Sequence, residues 1–234
     1  MAELDEHLAP ARLVDLTQPL GPQTVLWPGS RPFVAESTAE HETHGGYARD
    51  LAFAEHSGTH VDAPAHISPT GLTVDRLSLD VLVRPAVRLD LRDRVGNDAA
   101  YAISAADVEE VEQRDGRVPD GCAVLVHTGW DRHLDDPERY GGPGQPAFPG
   151  LGASAAELLV SRGVVGIGID TLGIDPGGWD LLDAHRITMP AGLWHVEGLV
   201  RLERVPTRGA WLVVGVLPIV AGSGAPARVF AIVP

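Results

Sequence analysis

Short runs of β-branched and aliphatic residues alternate with Gly- and Pro-containing turns along the chain, at 47–53, 86–91, 123–127, 164–169 and 211–220, and this pattern predicts strands. Leu212–Val214 and Val164–Val165 lack polar alternation, as expected of strands covered on both faces. Two helices have legible starts. Ser104-Ala-Ala-Asp107 precedes Val108 and Val111, and Ser154-Ala-Ala-Glu157 precedes Leu158 and Leu159; each reads as a capping box, in which the Ser and the acid satisfy early N–H groups. The second helix is expected to stop near Gly163. The stretches 140–152 and 173–178, rich in Gly and Pro, read as loops. With no repeat and no shift in composition, the expectation is a single α/β domain over residues 1–234 with mixed sheets.

The 234 residues, 44% hydrophobic and 21% charged, suffice for a packed core without staples. A single cysteine, Cys122, rules out an internal disulfide and thiolate-rich metal sites, so any metal must use His, Asp and Glu. All 18 basic residues are arginines; without lysine there is no internal Schiff base and no P-loop. A net charge of -14 argues against nucleic acid and anionic membranes as partners. The acidic opening lacks an apolar leader, and the most apolar stretch, 211–221, is interrupted by Pro218. Both point to a cytoplasmic protein.

Candidate chemistry concentrates in Glu55-His-Ser-Gly-Thr-His-Val-Asp-Ala-Pro-Ala-His66. His56, His60, Asp62 and His66 are metal-ligating or proton-transferring types, suited to zinc, manganese or iron with a reactive water in an open position. His56 and His60 stand four apart, as in a helical pair, but Gly58 and Pro64 disfavour a helix. An extended backbone instead points His60 and Asp62 the same way. Taken singly, each histidine also fits a turn or half-buried position; three in one acidic turn are better explained by a site.

The segment His56-Ser-Gly-Thr-His-Val-Asp-Ala-Pro-Ala-His66 resembles the H-x-G-T-H-x-D-x-P-x-H signature of the cyclase family of metal-dependent hydrolases, which includes bacterial kynurenine formamidases and isatin hydrolases. Val14-Asp-Leu-Thr-Gln-Pro19, Leu26-Trp-Pro-Gly29, Val126-His-Thr-Gly-Trp130 and Gly168-Ile-Asp-Thr171 extend the resemblance in the same order. It implies a swivelling β/β/α fold and a dinuclear centre, zinc before manganese. His56, His60 and Asp62 would bind one ion, and Asp62 would bridge to a second held by His185 and Glu197, which stand twelve residues apart as in the family. It makes His66 the general acid or base, and it implies a homodimer or homotetramer. Two cations sharing a carboxylate would acidify the water between them. Thr59 is expected to support the site by bonding a ligand or the nucleophile.

The chain departs from the family in Arg186-Ile-Thr-Met-Pro-Ala-Gly-Leu-Trp-His-Val-Glu197, where Pro190 and Gly192 suggest a loop bordering the substrate pocket. His195 reads equally as a supporting partner or a core residue and stays outside the predicted site, as do His41, His44, His127 and His133. Asp170 and Asp175 either orient a ligand histidine or cap turns. Trp27 is the first choice for an aryl-binding wall; Phe33, Trp130, Trp179 and Trp194 fit a wall or a core. The expected activity is metal-dependent hydrolysis of a C–N bond in an aryl formamide or cyclic amide, on a small-molecule substrate. The alternatives are a cyclase, dehydratase or lactone hydrolase of natural-product synthesis, and a non-catalytic metal-stabilised binding protein.

Overall fold

The apolar runs become strands of one sheet that closes on itself. The computed structural model describes residues 11–142, 144–178 and 182–234, so Trp179 lies outside the described residues. Its strands are β1 (Arg12–Asp15), β2 (Val34–Ala39), β3 (Ala48–Ala52), β4 (His60–Asp62), β5 (Val83–Asp90), β6 (Ala102–Ile103), β7 (Ala123–His127), β8 (Gly150–Leu151), β9 (Gly166–Ile169), β10 (Trp194–Glu197), β11 (Ala210–Val216) and β12 (Gly224–Val233). The main sheet runs β1-β12-β11-β5-β7-β9-β10-β4, and β4 returns to pair with β12. β12 is long enough to serve two partners along one edge: Gly224–Pro226 pair with β4 and Phe230–Val233 with β1, while the other edge takes β11. The result is a closed seven-stranded barrel with β1 appended. β5, β7, β9 and β10 are parallel neighbours, and the remaining pairings of this sheet are antiparallel. β2–β3 and β6–β8 form two smaller sheets.

Alternation along the strands sorts side chains into two cores. Val61, Leu125, Trp194, Val196, Leu212, Ala225 and Val229 fill the barrel interior. Val124, Val126, Ile167 and Ile169 face outward and are covered by α1 (Ala105–Asp115), α2 (Ala153–Ser161) and α3 (Asp183–Thr188), through Val108, Val111, Ala155, Leu159 and Ala184. β7 and β9 are therefore apolar on both faces. Leu212–Val214, expected to be covered on both, instead lie in antiparallel β11, where Leu212 and Val214 are buried, Val213 is half-buried and Trp211 is exposed. Ile167 and Ile169 are fully buried, which is worth roughly 1.5–3 kcal/mol for each side chain. Gly166 is required where Trp194 crosses the barrel, because a Cβ there would stand 2.2 Å from the indole.

Three local expectations need correction. Ser104 and Asp107 form the predicted capping box of α1. Ser154, however, lies inside α2, whose N-cap is Gly152, and its Oγ accepts from the Ala105 N–H at 3.1 Å, so it serves the start of α1. The strand predicted over 211–220 stops at Val216, since Pro218 has no N–H for the ladder. The predicted loop 140–152 contains β8 and the end of a short helix, Pro137–Gly141. Among the described residues no helix is long and apolar enough to cross a membrane.

Candidate metal centre

β4 and β10 carry the centre between them on the outer face of the barrel. Val61, Trp194 and Val196 point inward, so alternation turns His60, Asp62, His195 and Glu197 outward. The antiparallel register sets His195 opposite Asp62 and Glu197 opposite His60. His56 enters from the turn before β4, where Gly58 adopts φ +65°, and its ring lies over Gly224, whose missing side chain leaves the space. α3 supplies His185 from the other side. His56, His60, Asp62, His185 and Glu197, together with His66, Trp27, Leu172 and Leu182, line a cavity of about 380 Å³.

Three imidazoles converge on the two carboxylates. Asp62 Oδ1 lies 2.5 Å from His56 Nδ1 and 3.1 Å from His60 Nε2, and its Oδ2 lies 3.2 Å from His185 Nε2. Glu197 Oε2 is 3.4 Å from His60 Nε2 and its Oε1 is 3.6 Å from His185 Nε2. Oε1 also accepts the Ile174 N–H at 2.7 Å, which fixes the carboxylate.

The outer nitrogen of each ring is held as well. His60 Nδ1 donates to the Gly58 carbonyl at 3.0 Å. His56 Nε2 donates to Ser223 Oγ at 2.9 Å, and that hydroxyl donates to Glu55 at 2.6 Å. His185 Nδ1 donates to Asp175 Oδ2 at 2.5 Å, and Asp175 also accepts the Ala184 N–H at 2.6 Å. With protons on the outer nitrogens, the inner nitrogens face carboxylate oxygens with positive charge between them, supplied by a proton or a metal ion. The residues therefore fit divalent ions bound by His, Asp and Glu.

The electrostatics agree. Burial raises the Asp62 pKa, but His60, His185 and His56 outweigh it and hold the carboxyl well below its usual range. Burial likewise opposes protonation of His60, yet Asp62 and Glu197 raise its pKa well above 6.5. For His185, Asp175, Asp62 and Glu197 overcome burial and raise the pKa to about 10. The cluster demands positive charge. His66 behaves oppositely: burial, with His56 and His185 working against Asp62 and Glu197, lowers its pKa and leaves it a neutral base beside the centre. Its ring centroid stands 4.2 Å from that of His56.

The structure thus brings His56, His60, Asp62, His66, His185, Glu197 and Trp27 to one cavity. It corrects the expectation for Thr59, whose hydroxyl donates to the Gly198 carbonyl at 2.6 Å and accepts the Gln18 N–H at 3.0 Å. Both bonds of that buried hydroxyl go to backbone, and they tie β4 to the residue after Glu197. The divergent segment 186–196 does not border the cavity; only the flanking His185 and Glu197 line it, while 190–192 are exposed. The two undecided acids separate: Asp175 orients His185, whereas Asp170 accepts the N–H groups of Thr128, Gly129 and Trp130 and caps their turn. Trp130 and Trp194 belong to the core, and Phe33 stacks on Phe53. His195, left outside the predicted site although it stands two residues before Glu197, is buried with its ring edge-on to His185, centroids 4.8 Å apart. Ser223, 167 positions from His56, gave no signal in the sequence.

Imidazoles with locked tautomers, paired carboxylates and a neutral base at an open cavity are the equipment of a metal-dependent hydrolase. The Cyclase family model matches residues 14–176, and the chain belongs to that family. It is 30% identical to the kynurenine formamidase of Salinibacter ruber, over 92% of this chain and 95% of the relative. It superposes on isatin hydrolase A from Ralstonia solanacearum with a TM-score of 0.91 at 30% identity, covering 100% of this chain and 96% of the other. A structure described as a potential metal-dependent hydrolase with cyclase activity gives a TM-score of 0.73 at 26% identity, over 96% and 98% of the two chains.

Proposed function

We propose that the chain hydrolyses the C–N bond of an aryl formamide or a cyclic aryl amide. In this reading His56, His60 and Asp62 hold one divalent ion, and Asp62, His185 and Glu197 a second, with zinc preferred to manganese. When bound, such ions acidify water and polarise a carbonyl oxygen. The chain's own groups do the rest. Asp62 and Glu197 fix the positions of the cations, and the outer hydrogen bonds of the three imidazoles keep the ligand nitrogens unprotonated. His66 takes a proton from the attacking water on a ring nitrogen and returns it to the leaving nitrogen, a contribution of about 10²–10⁴ in rate.

The cavity volume of about 380 Å³ suits a one- or two-ring substrate. Trp27, Leu172 and Leu182 offer it an apolar wall, and Trp27 is braced edge-on by Phe148 at 6.2 Å. A homodimer or homotetramer is part of the same reading. The β2–β3 ribbon leaves Val34, Tyr47 and Leu51 exposed, and a two-stranded ribbon is marginally stable without a further layer.

The observation that carries the reading is the convergence of three tautomer-locked imidazoles on Asp62 and Glu197. The test is elemental analysis of purified protein with hydrolysis of N-formylkynurenine and isatin before and after chelation, alongside lactones and polyketide-like ketones. Chelation should abolish amide hydrolysis, and His60→Ala or Asp62→Ala should lose metal and turnover together. Turnover in metal-free protein overturns the proposal. Turnover confined to the lactones or ketones replaces it with the cyclase reading.

A further inference from the structure

His195 lies beside the centre, fully buried, with one ring nitrogen unaccounted for. Its Nε2 donates to Thr188 Oγ1 at 2.7 Å, and that hydroxyl gives its own proton to the Ala184 carbonyl at 2.7 Å. The donor roles are thereby set, and Nδ1 carries a lone pair. Among the described residues, His195 Nδ1 and His133 Nε2 are the two buried side-chain atoms with no hydrogen-bond partner. A buried acceptor left without a partner is unfavourable, so a ligand for it is to be sought.

Three features aim the residue at the centre. The ring stands edge-on to His185 with centroids 4.8 Å apart. Across the strand pair His195 lies opposite Asp62. It also offers a ligand atom that lies, with those of Asp62, His185 and Glu197, in a group spanning no more than 4.8 Å. Two nitrogens bound at ~2.1 Å on opposite sides of one ion stand about 4.2 Å apart. The four atoms are therefore near enough for small shifts to gather them around one ion. His133, by contrast, packs edge-on against Trp130 and joins none of the metal-ligating groups found among the described residues.

We propose that His195 is a further metal ligand, its Nδ1 joining Asp62, His185 and Glu197 around the second ion. The centre then has two imidazoles on each side of the shared Asp62 carboxylate. Thr188 is the positioning residue, holding the ring so that Nδ1 faces the ion. This inference rests on the metal reading above.

The test is titration of chelator-stripped full-length protein with Co(II), followed by its visible absorption, with pulsed EPR of the Mn(II)-loaded protein to count imidazole nitrogens. Wild-type protein should take two equivalents and show two imidazoles at the second site. His195→Ile should keep the first equivalent and its spectrum, weaken the second at least tenfold, and lose one nitrogen coupling. Thr188→Val, which leaves the donor in place, should change the second affinity by less than His195→Ile does. If His195→Ile fails to fold, the nitrogen count of wild-type protein decides. One imidazole at the second site, or an unchanged second affinity in folded His195→Ile, overturns the proposal while the metal reading stands. Wild-type protein that binds no metal overturns both.

Discussion

Replacing Asp175 by Asn tests whether the outer hydrogen bonds govern the centre. Asp175 is 5% exposed and accepts from three donors: His185 Nδ1 at 2.5 Å and the N–H groups of Ala184 at 2.6 Å and His185 at 3.3 Å. Asn keeps the shape but exchanges one acceptor for a donor, and both orientations conflict. With its NH₂ toward Ala184, two donors meet at the start of α3. With its NH₂ toward His185, Nδ1 must become an acceptor, and the proton moves to Nε2, the nitrogen that faces Asp62 and Glu197. A donor–donor contact at a buried site costs about 1–3 kcal/mol, and loss of such a supporting partner lowers metal affinity about 10–100-fold. Competition with a chromophoric chelator should therefore show Asp175→Asn weakened by one to two orders of magnitude, with kcat recovering as metal is raised to saturation. Wild-type affinity in Asp175→Asn would refute the argument that this carboxylate sets the tautomer.

Three further outcomes follow from the geometry. Gly224→Ala would bring a Cβ to 2.5 Å from the Val61 carbonyl and 2.6 Å from His56 Cε1; thermal unfolding should show a loss of about 1–3 kcal/mol, and titration should show weakened binding at the site that uses His56. His66→Asn should lower kcat by about 10²–10⁴ while elemental analysis finds unchanged metal content. Burial, with Arg88 and Arg92 working against Asp90, lowers the His127 pKa from 6.5 to about 4. The unfolded chain then takes up the proton first, so the stability from this group is present above pH 6.5 and declines as pH falls toward 4. Denaturant titrations at pH 7.5 and 4.5 should show His127→Gln removing roughly 2–3 kcal/mol of that pH dependence.

What was legible in the sequence was whatever local pattern controls. β7 occupies the predicted 123–127 because an unbroken apolar run between Gly121 and Gly129 leaves no other register. His60 and Asp62 share a face because alternation in a strand admits nothing else. Ser154 misled because Ser-x-x-Glu is a cap only when its Ser precedes the helix, and Gly152 takes that place. The roles of Asp170 and Asp175 depend on which distant backbone amides each carboxylate meets, a matter of tertiary position that residue type does not encode. Closure of the barrel was equally hidden, since it depends on β12 pairing with β4, a partner more than 160 residues away. The rule that paired His60 with Asp62 likewise sets His195 and Glu197 on one face of β10.

The three residues of β4 have a consequence beyond position. This short strand is stitched to β10 on one edge and β12 on the other, and the bonds from His56 to Ser223 and from His60 to Glu197 cross both seams. A cation shared by these side chains would work as a rivet: it leaves only when the wall parts, and the wall parts only when it leaves. Exchange of the ion should then keep pace with the slowest breathing of this corner of the barrel, so that amide protons of β4 and the bound metal come free together.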